Sequence, residues 1–230
     1  MSQTVTSPVT HQEGGSMINN IEVFTQNSIR IKSSAGTIYI DPFHLKREFH
    51  DADYVLITHP HYDHFSVEDI RKVIAPDTIL ISPQSMVDDA LELEREVKEV
   101  IGLKPGVTRE IEGLSLETIP AYNTIKPFHP RRAEWLGYIL NVDGKRIYIT
   151  GDTGATKEAK QVKCDIALLP IGGTYTLDTR RAADLINTIK PEVAIPVHYG
   201  SIVGKKTDGQ TFASLVKSPV TVVEKIQYFE

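Results

Sequence analysis

The order of apolar and polar residues predicts a chain that begins with strands and continues with strands and helices in alternation. Between residues 18 and 41, three short runs rich in β-branched and aromatic residues are separated by polar turns, which is typical of a β-meander. The apolar run at residues 53–58 predicts a buried strand. After it, Ser66 as N-cap with Asp69 three residues later predicts a helix.

The second half of the chain continues this alternation. Residues 136–150 predict a β-hairpin, because two strand-like runs flank Asp143-Gly144, a pair suited to a two-residue turn. Strands predicted at residues 164–170, 192–197 and 220–225 alternate with helices. Since no repeat or linker divides the chain, we predict one domain over residues 17–230, after a disordered polar leader at residues 1–16.

Composition narrows the classes of function. Of the 230 residues, 40% are hydrophobic, and the formal charge of -5 argues weakly against nucleic acid or an anionic membrane as partner. No apolar run reaches the roughly 18 residues that span a bilayer, and the N-terminus lacks a signal sequence. The single cysteine, Cys164, allows no internal disulfide, so we expect a cytoplasmic protein; a homo-oligomer is compatible with the sequence.

Three histidines and an aspartate crowd into six positions after the predicted strand at residues 53–58. They are His59, His61, Asp63 and His64. Such groups are costly to gather unless a positive charge lies among them, and a metal ion is the obvious candidate. Because the cluster follows a strand and precedes a helix, it lies on a strand-end loop, where α/β sheets place their chemistry.

Three further polar residues end apolar strands in the same way: Asp41, Asp152 and His198. Glycine or proline follows each within a few residues, which is typical of strand-end loops. Because strand ends can converge on one sheet edge, the combined set offers the imidazole and carboxylate ligands that borderline divalent metals prefer. Asp41, directly before Pro42, is also typical of a simple turn residue.

The order of Asp41, HPHYDH, GDT at Asp152 and PVHYG at His198 resembles the motif order of the metallo-β-lactamase superfamily, whose signature is HxHxDH. The stretches PAYN, GDTG and PIGGTYTLD resemble more narrowly the predicted metal-dependent hydrolases related to ascorbate-6-phosphate lactonases. The resemblance covers nearly the whole chain after Ile18. It implies a four-layer αββα sandwich of class α/β (α+β), with two mixed sheets face to face and helices outside.

The resemblance also implies two divalent ions that share one bridging carboxylate. The implied ligands are His59, His61 and Asp152 for the first ion, and Asp63, His64, Asp152 and His198 for the second. Zinc is the expected metal, with manganese, nickel or magnesium as alternatives, and a metal-bound hydroxide would cleave an ester, lactone, amide or phosphodiester bond. Asp63 would orient that hydroxide or accept a proton. Asp41 would accept a hydrogen bond that orients a ligand histidine.

One motif departs from the superfamily pattern. Where the superfamily usually supplies another histidine, this chain has Pro120-Ala121-Tyr122-Asn123, and asparagine offers only a neutral carbonyl oxygen. The first metal site is therefore short of a nitrogen ligand, or is completed by water or by His129, six residues on, which makes His129 a candidate catalytic residue. An oxygen-richer site would favour manganese or magnesium over zinc.

The loop after Asn123 carries three basic residues and the only tryptophan of the chain. We expect Lys126, Arg131 or Arg132 to meet an anionic group of a small-molecule substrate and Trp135 to cover it. Asn123 and Tyr175 complete the candidate substrate contacts. A solvated surface loop explains the basic residues equally well, and a plain turn explains the glycines before Tyr175.

Two other functions stay open. The flavodiiron branch uses this fold for redox chemistry, but it resembles HxExDH, with a carboxylate in place of His61, and it carries a flavin domain that this sequence lacks. A non-catalytic metal-containing protein for binding or sensing would agree with the missing histidine of the PAYN motif. We expect His44 and His50 to be ordinary surface or core residues.

Overall fold

The structure is a computed structural model that describes residues 17–124 and 126–229, so the expected leader at residues 1–16 lies outside the described residues. Two sheets of six and seven strands pack face to face and share one apolar core. Within the described residues, every helix is too short or too polar to cross a membrane.

The first sheet contains six strands in the order of the sequence. They are β1 (Ile21–Val23), β2 (Ile29–Ser33), β3 (Gly36–Ile40), β4 (Tyr54–Leu56), β5 (Ile79–Pro83) and β6 (Glu99–Leu103). β1 to β3 are antiparallel, which confirms the predicted meander, and β3 to β6 run parallel. Helix α1 (Val67–Arg71) follows β4 with Ser66 as its N-cap, as predicted, and α2 (Val87–Ala90) follows β5.

The second sheet contains seven strands. They are β7 (Thr108–Ile111), β8 (Leu114–Pro120), β9 (Leu136–Val142), β10 (Lys145–Ile149), β11 (Ile166–Pro170), β12 (Val193–Val197) and β13 (Thr221–Val222). β7 to β10 are antiparallel and β10 to β13 are parallel. Asp143 and Gly144 have φ of 50° and 73°, the left-handed conformation of a tight hairpin turn, which confirms the predicted hairpin.

Helices cover the outer face of each sheet. α3 (Thr179–Ile189) joins β11 to β12, and α4 (Asp208–Leu215) joins β12 to β13; both pack on the second sheet. α1 and α2 pack on the outer face of the first sheet. The central strands are thus buried on both faces, which explains why they are continuous apolar runs. The αββα sandwich expected from the sequence is confirmed.

Candidate metal centre

The ends of strands from both sheets meet at one edge of the sandwich. Asp41 follows β3, residues 59–64 follow β4, Asp152 follows β10 and His198 follows β12. The backbone amide of His198 donates to the carbonyl oxygen of Gln26 at 2.9 Å, which ties the two sheets together at this edge. The structure therefore brings all six predicted metal ligands close together.

The first group of candidate ligands contains His59, His61 and His129. The Nε2 atom of His59 lies 3.0 Å from Nδ1 of His61. The ring centroid of His129 lies 5.1 Å from that of His59 and 5.0 Å from that of His61. His129, which the sequence left as an alternative to water, thus lies beside the two histidines that lacked a third nitrogen.

The second group contains Asp63, His64 and His198. The Oδ2 atom of Asp63 lies 3.1 Å from Nε2 of His198 and 3.5 Å from Nε2 of His64. All three side chains are buried. An oxygen and two nitrogens at these separations suit one divalent ion.

Asp152 lies between the two groups. Its Oδ1 atom is 3.5 Å from Nε2 of His64, and its Oδ2 atom is 3.5 Å from Nε2 of His198. The same Oδ2 atom is 3.3 Å from Nε2 of His129 and 4.0 Å from Nε2 of His59. The carboxylate therefore reaches both groups, as a bridging ligand must.

Unpartnered polar atoms show that this set of residues fits metal ions. Among the described residues, seven buried side-chain nitrogen and oxygen atoms lack a hydrogen-bond partner, and five of the seven belong to the centre. They include Nε2 of His64, Nε2 of His129 and Oδ1 of Asp152. A buried polar atom without a partner costs about 1–3 kcal/mol, and coordination of a cation would remove that cost.

Asp41 is buried behind the centre and orients one ligand. Its Oδ2 atom accepts a hydrogen bond from Nδ1 of His64 at 2.7 Å, so that Nε2 of His64 faces the other ligands. The side chains of Thr58 and Asn27 donate to the same oxygen at 2.6 and 2.7 Å. Sequence reasoning did not find Thr58 or Asn27. The position of Thr58, directly before the histidine cluster, is a signal for it, whereas nothing in the sequence marks Asn27.

Burial and neighbouring charges set the protonation of the ligands. Burial lowers the pKa of His59 well below its usual value, and burial together with nearby histidines lowers that of His61, so both are neutral and able to bind metal. Burial opposes protonation of His64, but the carboxylates of Asp152, Asp41 and Asp63 outweigh it and raise the pKa of His64 to about 9.

Metal binding is expected to release protons. The pKa of His64, about 9 in the metal-free protein, lies above pH 8, so coordination through Nε2 must displace a proton, and affinity should weaken as pH falls. Calorimetric titration of zinc at pH 8, in buffers of different ionisation enthalpy, measures this release. His50→Ala is the control, because His50 lies outside the ligand groups. Binding enthalpies that do not depend on the buffer would contradict the expectation.

Three residues predicted to contact substrate make contacts outside the centre. The backbone amide of Asn123 donates to the carbonyl oxygen of His129, and the side-chain amide of Asn123 donates to the carbonyl oxygen of Tyr175 at 2.6 Å. The ammonium of Lys126 donates to backbone carbonyls of the segment at residues 173–176. Arg131 pairs with a carboxylate on the loop after β10 at 3.0 Å. Asn123 thus closes the loop that carries His129.

A cavity of about 230 Å³ opens over the centre. Its lining residues are His61, Tyr62, Asp63, Phe128, His129, Asp152, Tyr175, His198 and Ile202. Tyr175 was expected there, whereas no pattern in the sequence marks Tyr62, Phe128 or Ile202. The ring of Trp135 lies 4.9 Å from those of His59 and His61, so it packs against the ligands.

Comparison with known proteins identifies the family. The profile of the Beta-lactamase superfamily domain matches residues 20–198. A UPF0173 metal-dependent hydrolase of Thermoplasma volcanium is 32% identical in an alignment of 203 positions that covers 81% of this chain and 86% of the relative. A second, from Pyrococcus abyssi, is 30% identical in an alignment of 202 positions that covers 81% of this chain and 87% of the relative. The chain therefore belongs to the metallo-β-lactamase superfamily and, within it, to the UPF0173 metal-dependent hydrolases.

Solved structures agree with this assignment. The crystal structure of a putative metal-dependent hydrolase from Parabacteroides distasonis has a TM-score of 0.77 and 31% identity, and the match covers 90% of this chain and 93% of that chain. A metallo hydrolase from the hyperthermophilic archaeon Ignicoccus hospitalis has a TM-score of 0.68 and 26% identity, over 90% and 95% of the two chains. The fold and the sequence therefore point to the same family.

Proposed function

We propose that this metal-dependent hydrolase holds two divalent ions, zinc in the first instance, and activates water to cleave an ester, lactone, amide or phosphodiester bond. The proposal rests above all on two groups of ligand atoms that lie on either side of Asp152, several of which are buried without a hydrogen-bond partner. The proposed ligands are His59, His61, His129 and Asp152 for one ion, and Asp63, His64, His198 and Asp152 for the other.

His129 supports zinc as the metal of the first site. With His129 beside His59 and His61, this site offers three imidazole nitrogens and one carboxylate. Zinc prefers nitrogen ligands of this kind, whereas magnesium and manganese prefer oxygen. The asparagine of the PAYN motif therefore gives no reason to expect an oxygen-rich site.

The residues around the ions have distinct roles in the proposed reaction. Bound divalent ions supply an activated water at neutral pH and polarise the substrate oxygen. Asp63 lines the cavity, and its carboxylate would orient that water or accept its proton. Asp41 acts through His64, whose ring it holds by the 2.7 Å hydrogen bond.

Metal removal tests the proposed activity. We expect hydrolysis of at least one member of a panel of esters, lactones, amides and phosphodiesters, loss of that activity after dialysis against a chelator, and recovery on addition of zinc. Circular dichroism of the metal-free protein is the control for folding. Hydrolysis that persists in folded, metal-free protein would contradict the proposal.

A further inference from the structure

We propose that the substrate carries an uncharged, apolar group of about the size of one aromatic ring next to the bond that is cleaved. This inference rests on the proposed function, because it concerns the same cavity. It comes from four apolar side chains at the cavity mouth, which are Tyr62, Phe128, Tyr175 and Ile202. We call these four side chains the apolar rim.

The apolar rim is a concentration of exposed apolar surface at one place. Its side chains are exposed by 66% for Tyr62, 45% for Phe128, and 39% each for Tyr175 and Ile202. Among the described residues, only two other large hydrophobic side chains are similarly exposed, Leu91 and Leu215. Single exposed apolar residues need no explanation, but four around one cavity mark a binding surface.

Contacts between two loops hold part of the rim in place. The rings of Phe128 and Tyr175 meet edge to face, with centroids 4.9 Å apart. Behind them, the side chain of Asn123 donates to the carbonyl oxygen of Tyr175, and Lys126 donates to that of Thr176 at 2.6 Å. The loop before β9 and the loop after β11 are therefore joined, and this side of the rim is formed before a ligand arrives.

The described part of the cavity wall offers no basic side chain to an anionic substrate. Lysine and arginine are absent from its described lining, and the carboxylates of Asp63 and Asp152 would be engaged with the metal ions. Two of the cations in the loop after Asn123 have other partners, since Lys126 donates to backbone carbonyls and Arg131 pairs with Glu158. An anionic group beside the scissile bond would thus find no side-chain cation there.

The size of the cavity sets the size of the apolar group. A cavity of about 150 Å³ in another protein holds one benzene molecule. The cavity here has about 230 Å³, which leaves space for one ring and the scissile group beside the metal ligands.

Hydroxamates test this inference without turnover, because they bind to metal ions through a common group while the remainder of the molecule varies. Calorimetry on the zinc-loaded protein would compare benzohydroxamate, acetohydroxamate and the monohydroxamate of succinic acid. We expect benzohydroxamate to bind about tenfold more tightly than acetohydroxamate, because its ring buries apolar surface against the rim. The succinate derivative should bind no more tightly than acetohydroxamate.

Variants connect the preference to the rim. Phe128→Ala and Tyr62→Ala should each reduce the tenfold preference to about threefold or less, since each removes apolar surface next to the ring. Leu91→Ala is the matched control and should leave the preference unchanged, because Leu91 is about as exposed as Phe128 but does not line the cavity.

The outcomes separate this inference from the proposed function. If the zinc-loaded protein hydrolyses substrates but binds the succinate derivative as tightly as benzohydroxamate, the proposed substrate class is wrong and the proposed function stands. A preference for benzohydroxamate that survives in both rim variants also overturns the proposal. If the folded protein retains no metal, the proposed function fails and the substrate class fails with it.

Discussion

Asp152→Ala is expected to lower kcat/KM by about a thousandfold, or about 4 kcal/mol of transition-state stabilisation, and to deplete both metal ions. The carboxylate of Asp152 reaches both ligand groups, with Oδ1 3.5 Å from His64 and Oδ2 3.3 Å from His129. Without it, two cations would repel each other with no negative charge between them. Kinetics on the best substrate of the panel and zinc analysis of the same sample measure both effects.

Two further variants distinguish charge from shape at this position. Asp152→Asn preserves the size of the side chain but removes its charge, and it should lose nearly as much activity as the alanine variant. Asp184→Asn is the control, because Asp184 is an exposed carboxylate on α3 outside the ligand groups. An Asp152→Ala protein that keeps both ions and more than about a tenth of the activity would contradict the bridging role.

His129→Ala is expected to lower the affinity for the ion near His59 and His61 by about 100-fold or more, while the other ion stays bound. The ring of His129 supplies the third nitrogen of this group, and it is buried where water would have to replace it. Zinc titration against a competing chelator resolves the two sites. Equal affinities in the variant and the wild type would mean that another residue completes the first site.

Asn123 provides the comparison for His129. Its side chain donates to the carbonyl oxygen of Tyr175, so Asn123→His should not raise the affinity for the first ion. The motif order of the superfamily, in contrast, would place a metal ligand at this position. His44→Ala is the control, since His44 lies outside the ligand groups. An Asn123→His variant with a much more tightly bound first ion would show that position 123 faces the metal.

Local pattern predicted much of the fold. The meander at residues 18–41 follows from its alternating apolar runs, and the hairpin at Asp143-Gly144 follows from turn residues that adopt positive φ. The last strand, Thr221–Val222, is shorter than the apolar run at residues 220–225 indicates. Its length depends on how far it can pair with β12, and the run alone does not contain that information.

Strand-end residues of the centre were visible in the sequence because each follows a buried strand. His129 was ambiguous because its loop has no periodicity and is placed by tertiary contacts, including the hydrogen bond from the amide of Asn123 to its carbonyl oxygen. The partners of Lys126 and Arg131 are about 50 and 27 positions away, so the sequence could not show that these cations are engaged outside the cavity. The apolar rim was missed for the same reason, since it is assembled from four separate loops.

The central claim is that two metal ions share Asp152 at the meeting of the two sheets. Elemental analysis tests it most directly, on wild-type protein that has been reconstituted with zinc and freed of loosely bound metal. We expect about two zinc ions per chain in the wild type, about one in His129→Ala and fewer than one in Asp152→Ala. A wild-type protein that holds one ion per chain or fewer, after reconstitution with zinc, manganese or nickel, would contradict the claim.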